Sequence, residues 1–163
     1  MIQKLSEHLS LQEIIKSQTA TRNGFQNTPT AEHLDNLRIM ANELFEPIRD
    51  AVSTDRGKDT PIPISSGYRS KKLNDAIGGS SRSQHSIGRA IDMDLDGWYE
   101  DFSNADLFFL IVEDLDFDQI IWEFGDDQNP NWVHVSYVSA EKNRKKITMA
   151  FKKDGKTHYI NKN

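Results

Sequence analysis

Three short segments alternate polar and apolar residues with the two-residue period of a β-strand, and this constrains the chain more than any other feature. They are RAIDMDL (89–95), DQIIWEF (118–124) and WVHVSYV (132–138). In the first, Ile91, Met93 and Leu95 share a face opposite Ala90, Asp92 and Asp94. In the second, Ile120, Trp122 and Phe124 oppose Ile121 and Glu123. In the third, Val133, Val135 and Tyr137 oppose His134 and Ser136. Each strand thus offers one apolar face to a core. The other faces carry side chains able to bind a metal or a proton, among them Asp92, Glu123 and His134.

The remaining segments are local structures around that sheet. Ser10 with Glu13 forms a capping box for a short helix through Ile15. Thr30 caps a long helix with Leu34, Leu37, Ala41, Leu44, Ile48 and Val52 on one side, and Pro47 is expected to kink it. PIPISS reads as a short strand. Ser70–Ile77 reads as a helix with Leu73 and Ile77 inward, stopped by Gly78-Gly79. Ser103 caps DLFFLIVEDL, and the segment 144–163 reads as a hairpin turning at Asp154-Gly155. Helices first and strands later predict an α+β fold. One domain over 1–163 is expected, a helical N-terminal part on a small, mainly antiparallel sheet.

Composition narrows the function. The 163 residues contain no cysteine, which excludes thiolate ligands, a cysteine nucleophile and disulfides. A net charge of −5 argues against nucleic acid as the partner. No apolar run reaches the roughly 18–20 residues of a membrane span. The N-terminus MIQKLSEHLSLQEIIKS lacks the apolar stretch of a secretory signal. A monomer is expected.

IDMDLDG opens like a calcium-binding loop, with Asp92, Asp94 and Asp96 at alternate positions and then Gly97. His85 lies seven residues before Asp92, in a Ser- and Gly-rich loop. Two histidines, one carboxylate and an open fourth position make a catalytic zinc site, and Glu123 is a spare carboxylate for proton transfer. From spacing alone a second reading stands beside this one: His85 and His134 as satisfied histidines, and Asp92 as a cap or salt bridge. Burying Asp92 and Glu123 unpaired is costly, and a cation offers them a partner.

The stretch SSGYRSKKLNDAIGGSSRSQHSIGRAIDMDLDG, followed by IIWEF and WVHVSYV, resembles the zinc D-Ala-D-Ala carboxypeptidase family of peptidoglycan peptidases. Within it, the chain is similar to the carboxypeptidase-like domain of phages and prophages, over residues of about 10 to 138. The signature S-x-H-x-x-G-x-A-x-D stands complete as Ser83, His85, Gly88, Ala90 and Asp92. The resemblance implies one Zn2+ per chain, held by His85, Asp92 and His134, and a peptidoglycan peptide as substrate. It implies that Arg69 contacts the substrate near the scissile bond and that Ser83 and Gln84 support the loop or bind substrate. Asp94 is a candidate to orient a ligand.

One departure lies at the base. Many members carry an acid three residues before the last histidine, where this chain has Asn131. Glu123 is the replacement, by analogy with the related Hedgehog signalling domain; Asp126 and Asp127 are rivals. The expected activity is a D,D-carboxypeptidase or endopeptidase of the endolysin kind, acting at the cell wall after release or as a virion component. The alternative is an inactive zinc-fold binding module. The calcium reading fails on two counts: its twelfth position, counted from Asp92, is Ser103 rather than a glutamate, and a strand and loop replace the helix before it.

Overall fold

A computed structural model describes residues 1–162. The N-terminal part contains α1 (Leu11–Ile15), α2 (Gln18–Asn23), α3 (Ala31–Met40) and α4 (Glu46–Arg56). Ser10 and Glu13 form the expected capping box on α1, and Thr30 accepts the His33 N–H at the start of α3. Between α3 and α4 the chain widens into one π-helical turn, Ala41–Phe45, closed by the Glu46 N–H on the Ala41 carbonyl. Pro47 sits just beyond it, in the first turn of α4. A proline has no N–H for the residue four back, and a wide turn absorbs that mismatch without ending the helix. The expected kink is therefore a local widening.

Next come β1 (Ile64–Ser66), α5 (Lys71–Ala76), a 3-10 turn at Gln84–Ile87, β2 (Ala90–Met93) and α6 (Asn104–Asp114). The chain ends with β3 (Gln119–Glu123), β4 (Trp132–Ser136), β5 (Lys146–Lys153) and β6 (Lys156–Asn161). Ser103 and Asp106 cap α6 reciprocally. Asp154 and Gly155, both at positive φ, turn β5 into β6 as the sequence predicts.

The strands form one six-stranded sheet in the order β1-β2-β4-β3-β5-β6. Every pairing is antiparallel except β3 with β5, which run parallel. One sheet face, with Ile91, Met93, Ile120, Trp122, Val133 and Val135, packs against Leu37, Met40, Leu44, Ile48, Phe108 and Ile111 of the helices. Phe108 meets Trp122 edge to face at 5.2 Å. Helices therefore cover one side of the sheet, and the polar positions of the three alternating segments lie on the other.

Two expected orientations do not hold. Ile77 is 46% exposed, because α5 stops at Ala76 and the chain turns away through Gly78. Phe124 does not continue the Ile120–Trp122 face. Its φ of 58° ends the strand, and its ring packs on Trp132 at 5.4 Å instead. Among the described residues no helix is long and apolar enough to cross a membrane.

Candidate metal centre and active-site cleft

The register of the central strands builds the site. β2 and β4 pair so that Asp92 stands directly opposite His134. β4 and β3 pair so that His134 faces Ile121, which leaves Glu123 its diagonal neighbour on the same face. His85 arrives from the 3-10 turn before β2. Gly88 ends that turn at φ 75°, and a Cβ there would lie 2.5 Å from the His33 carbonyl of α3. Glycine at this point of the signature thus lets the loop press against the helix and aim His85 at the sheet.

The three side chains converge. His85 Nε2 lies 3.1 Å from Asp92 Oδ1 and 3.2 Å from His134 Nδ1, and His134 Nδ1 lies 2.9 Å from the same carboxylate oxygen. All three residues are buried. His85 donates its other ring N–H, at Nδ1, to the Gly67 carbonyl at 2.7 Å. That bond sets the tautomer and turns the Nε2 lone pair toward the cluster. Gly67 can serve because it has no side chain: a Cβ there would lie 2.5 Å from the Ile14 carbonyl of α1.

Burial disfavours a charge on His85 and lowers its pKa, an effect that Asp92 only partly offsets. Burial alone would raise the Asp92 pKa, but the two histidines overcome that and hold its carboxyl far below the usual range. A buried carboxylate and two imidazole nitrogens meeting at this separation form a set of electron-pair donors suited to a cation. Tetrahedral zinc, with ligand distances near 2.1 Å, separates its ligand atoms by about 3.4 Å. The residues present therefore fit such an ion.

Around the cluster lies an open cleft of about 550 Å³ whose lining includes Arg69, Ser83, Gln84, His85, Glu123 and His134. A second cavity of about 440 Å³, between α1, α2 and α5, touches the cleft only through Arg69 and contains none of the cluster. Arg69 donates from Nη2 to Asp92 Oδ2 at 3.3 Å, while its Nε is buried with no hydrogen-bond partner among the described residues. Glu123 is half-buried. Desolvation, with a smaller push from the Asp92 charge, raises its pKa to about 7 against the pull of His134, Arg69 and Lys152. A dication beside it would draw that value down.

The other candidates are placed as follows. Gln84 lines the cleft, but its amide is engaged, with Nε2 donating to Asp118 Oδ2 at 2.9 Å. Ser83 opens the 3-10 turn, and its carbonyl accepts the Ser86 N–H. Asp94 is not brought to the cluster: its carboxylate accepts from Asn104 Nδ2 at 2.9 Å and from the Asp96 N–H at 3.1 Å, inside the turn that follows β2. Asp126 is exposed and accepts the backbone N–H groups of Gln128 and Asn129, which makes it a turn residue. Neither Asp126 nor Asp127 lines the cleft. Asn131 is exposed, and its main chain ties the loop to Glu123.

Sequence reasoning missed the Gly67 carbonyl, Asp118 and the contribution of β5 and β6 to the cleft wall. A backbone carbonyl has no signature in sequence. Asp118 opens the segment DQIIWEF but stands one residue outside β3, and the partners that engage it, Gln84 and Arg144, are distant in the chain.

An α+β fold with a His–Asp–His cluster and a nearby carboxylate in an open cleft defines the class: a metal-dependent hydrolase centre. A family model described as Peptidase M15 matches residues 7–136, and the chain belongs to that family. It is accordingly a metallopeptidase of a zinc-dependent family, and the match spans nearly the stretch in which the resemblance lies. No curated protein matches the chain.

Proposed function

We propose that the protein hydrolyses peptide bonds of peptidoglycan stem peptides or their cross-links, as a D,D-carboxypeptidase or an endopeptidase. We further propose that it acts at the cell wall, after release or as part of a virion, in the manner of a phage or prophage endolysin. The observation that carries the reading is Glu123, a carboxylate of raised pKa on the sheet face that carries Asp92 and His134 and that His85 meets, in a cleft open to a chain-like substrate.

His85, Asp92 and His134 would hold one zinc ion. When bound, zinc acts as a Lewis acid toward a carbonyl and acidifies a water molecule. Glu123 takes the proton of the attacking water and passes it to the leaving amine, a task open to a carboxylate that lines the cleft as the diagonal neighbour of His134. Arg69 lines the cleft beside Asp92, so its guanidinium can hold a substrate oxygen as negative charge develops there. The Gly67 carbonyl keeps His85 in the tautomer that can bind metal.

The test is a digest of purified peptidoglycan read by mass spectrometry with and without a chelator. New amine termini that depend on zinc are expected. Intact muropeptides together with stoichiometric zinc would instead make the chain a binding module. Glu123→Gln should retain zinc while turnover falls by about 10³-fold or more. A Glu123→Gln protein with normal turnover would remove Glu123 from the role of base.

A further inference from the structure

The match to the Peptidase M15 model ends at residue 136, and the chain then adds β5 and β6 to the sheet. This hairpin builds part of the cleft. β5 joins β3 with Gln119 beside Lys146, Ile121 beside Thr148 and Glu123 beside Ala150. β6 continues the rows, with Asn161 beside Thr148 and Tyr159 beside Ala150. Alternation brings Lys146, Thr148, Tyr159 and Asn161 to the face that carries His134 and Glu123, and all four line the cleft. Ala150, buried and small, is the only residue of its row between Glu123 and Tyr159, so the phenol ring borders the end of the cleft that holds Glu123. Burial, and then the Glu123 charge, push that phenol's pKa up.

The charges on the cleft are unevenly spread. Glu123 stands at the Tyr159 end. Arg69 is paired with Asp92. Lys146 and Arg82 also line the cleft, and neither has an anionic partner among the described residues. Lys146 lies two strands across and two residues along from His134, so the two Cα atoms are separated by about 12 Å, or roughly three residues of extended peptide.

We infer that the β5–β6 hairpin is a substrate-selecting wall, in which Lys146 receives the free carboxylate of an acidic peptide lying across the metal centre. The inference rests on the peptidase reading for the site and adds the class of substrate: a peptide with a carboxylate two or three residues from the bond that is cut. The carboxylate gains a charge-assisted partner in a partly desolvated groove, whereas a carboxamide at the same place gains a neutral one.

The experiment uses two synthetic stem peptides that differ in one group, a free carboxylate or a carboxamide on the acidic residue. Each is titrated calorimetrically into the zinc-loaded full chain carrying Glu123→Gln, and kcat/KM is measured on the chain without that change. The carboxylate peptide is expected to bind and react about tenfold better, the effect of one well-placed charged contact. Lys146→Met should reduce that preference to within about twofold, and Lys146→Glu should reverse it, with circular dichroism showing both variants folded. Equal affinity for the two peptides, binding of neither, or a preference that survives both variants would overturn the inference. Carboxylate-selective binding lost in Lys146→Met, without cleavage by the unaltered chain, would uphold the hairpin's role and sink the peptidase reading alone.

Discussion

Two aspartates lie buried on the same sheet, and their surroundings differ in kind. Asp118, 1% exposed, sits just before β3 and is fully compensated. Arg144 grips it with Nε at 3.0 Å and Nη2 at 2.6 Å, the Arg144 backbone N–H adds a bond at 3.1 Å, and Gln84 adds another. Asp92, 6% exposed on β2, faces two imidazoles and a single guanidinium nitrogen at 3.3 Å. A buried carboxylate whose hydrogen bonds and charge are met from within the chain serves to hold the fold. One surrounded by other electron-pair donors calls for a cation. The two regions are also joined: Gln84, held by Asp118, is the residue immediately before His85.

If that contrast is right, the same kind of substitution should have unlike effects at the two sites. The largest effect is expected for Asp92→Ala. Zinc content, measured by elemental analysis, should fall well below one per chain and turnover should fall by about 10³-fold or more, while the zinc-free protein still folds. Asp118→Ala should act mainly on stability. It should lower the unfolding free energy by about 2 kcal/mol in denaturant titrations of the zinc-free chain. The value is moderate because the Arg144 side chain is half exposed and can return to water. Zinc bound at stoichiometry by a folded Asp92→Ala chain, or lost from a folded Asp118→Ala chain, would collapse the distinction.

The pH dependence of the zinc-free chain sharpens it further. Glu123 has its pKa raised by burial to about 7, against an ordinary value of 4.5. Between those values the unfolded chain has lost the proton that the folded chain still holds. The Glu123 contribution to stability therefore falls as pH rises through that window and levels off above it, while His85, whose pKa burial lowers, contributes in the opposite sense. Asp118, with its pKa lowered by Arg144 and Gln84 despite burial, contributes in the opposite sense. Its stabilisation is present above the ordinary carboxylate pKa and fades as the solution is acidified below it. Glu123→Gln should remove the first contribution and Asp118→Asn should weaken the second, each read as the difference in denaturation midpoint from the unaltered chain across pH. The smallest effect is expected for Gln84→Leu. It severs the link between the regions without touching either carboxylate's main partners, so zinc affinity should weaken by about tenfold or less. A loss of zinc as complete as that of Asp92→Ala would make Gln84 part of the metal site.

Legibility in sequence followed the range of the interaction. Ser10, Thr30 and Ser103 announce their helices because each cap is satisfied within three residues. The alternation of RAIDMDL and WVHVSYV assigns Asp92 and His134 to the face away from the apolar core. Ile77 and Phe124 were misplaced because periodicity assumes that the element continues, and each lies at a point where the backbone turns. The triplet Asp92, Asp94 and Asp96 looked like one motif. The fold divides it: Asp92 enters the cluster, while Asp94 binds Asn104 and the turn.

What the sequence alone determined is the set of strands, the helix starts and the donor residues, since these depend on neighbours a few positions apart. The order β1-β2-β4-β3-β5-β6, and with it the meeting of His85, Asp92 and His134, depends on pairings between residues tens of positions apart. Only the tertiary structure decided that Gly67 orients His85, that Asp118 anchors Gln84, and that Lys146 and Tyr159 reach the cleft. No local period encodes which strand will be a neighbour; closing the chain around one shared core selects it.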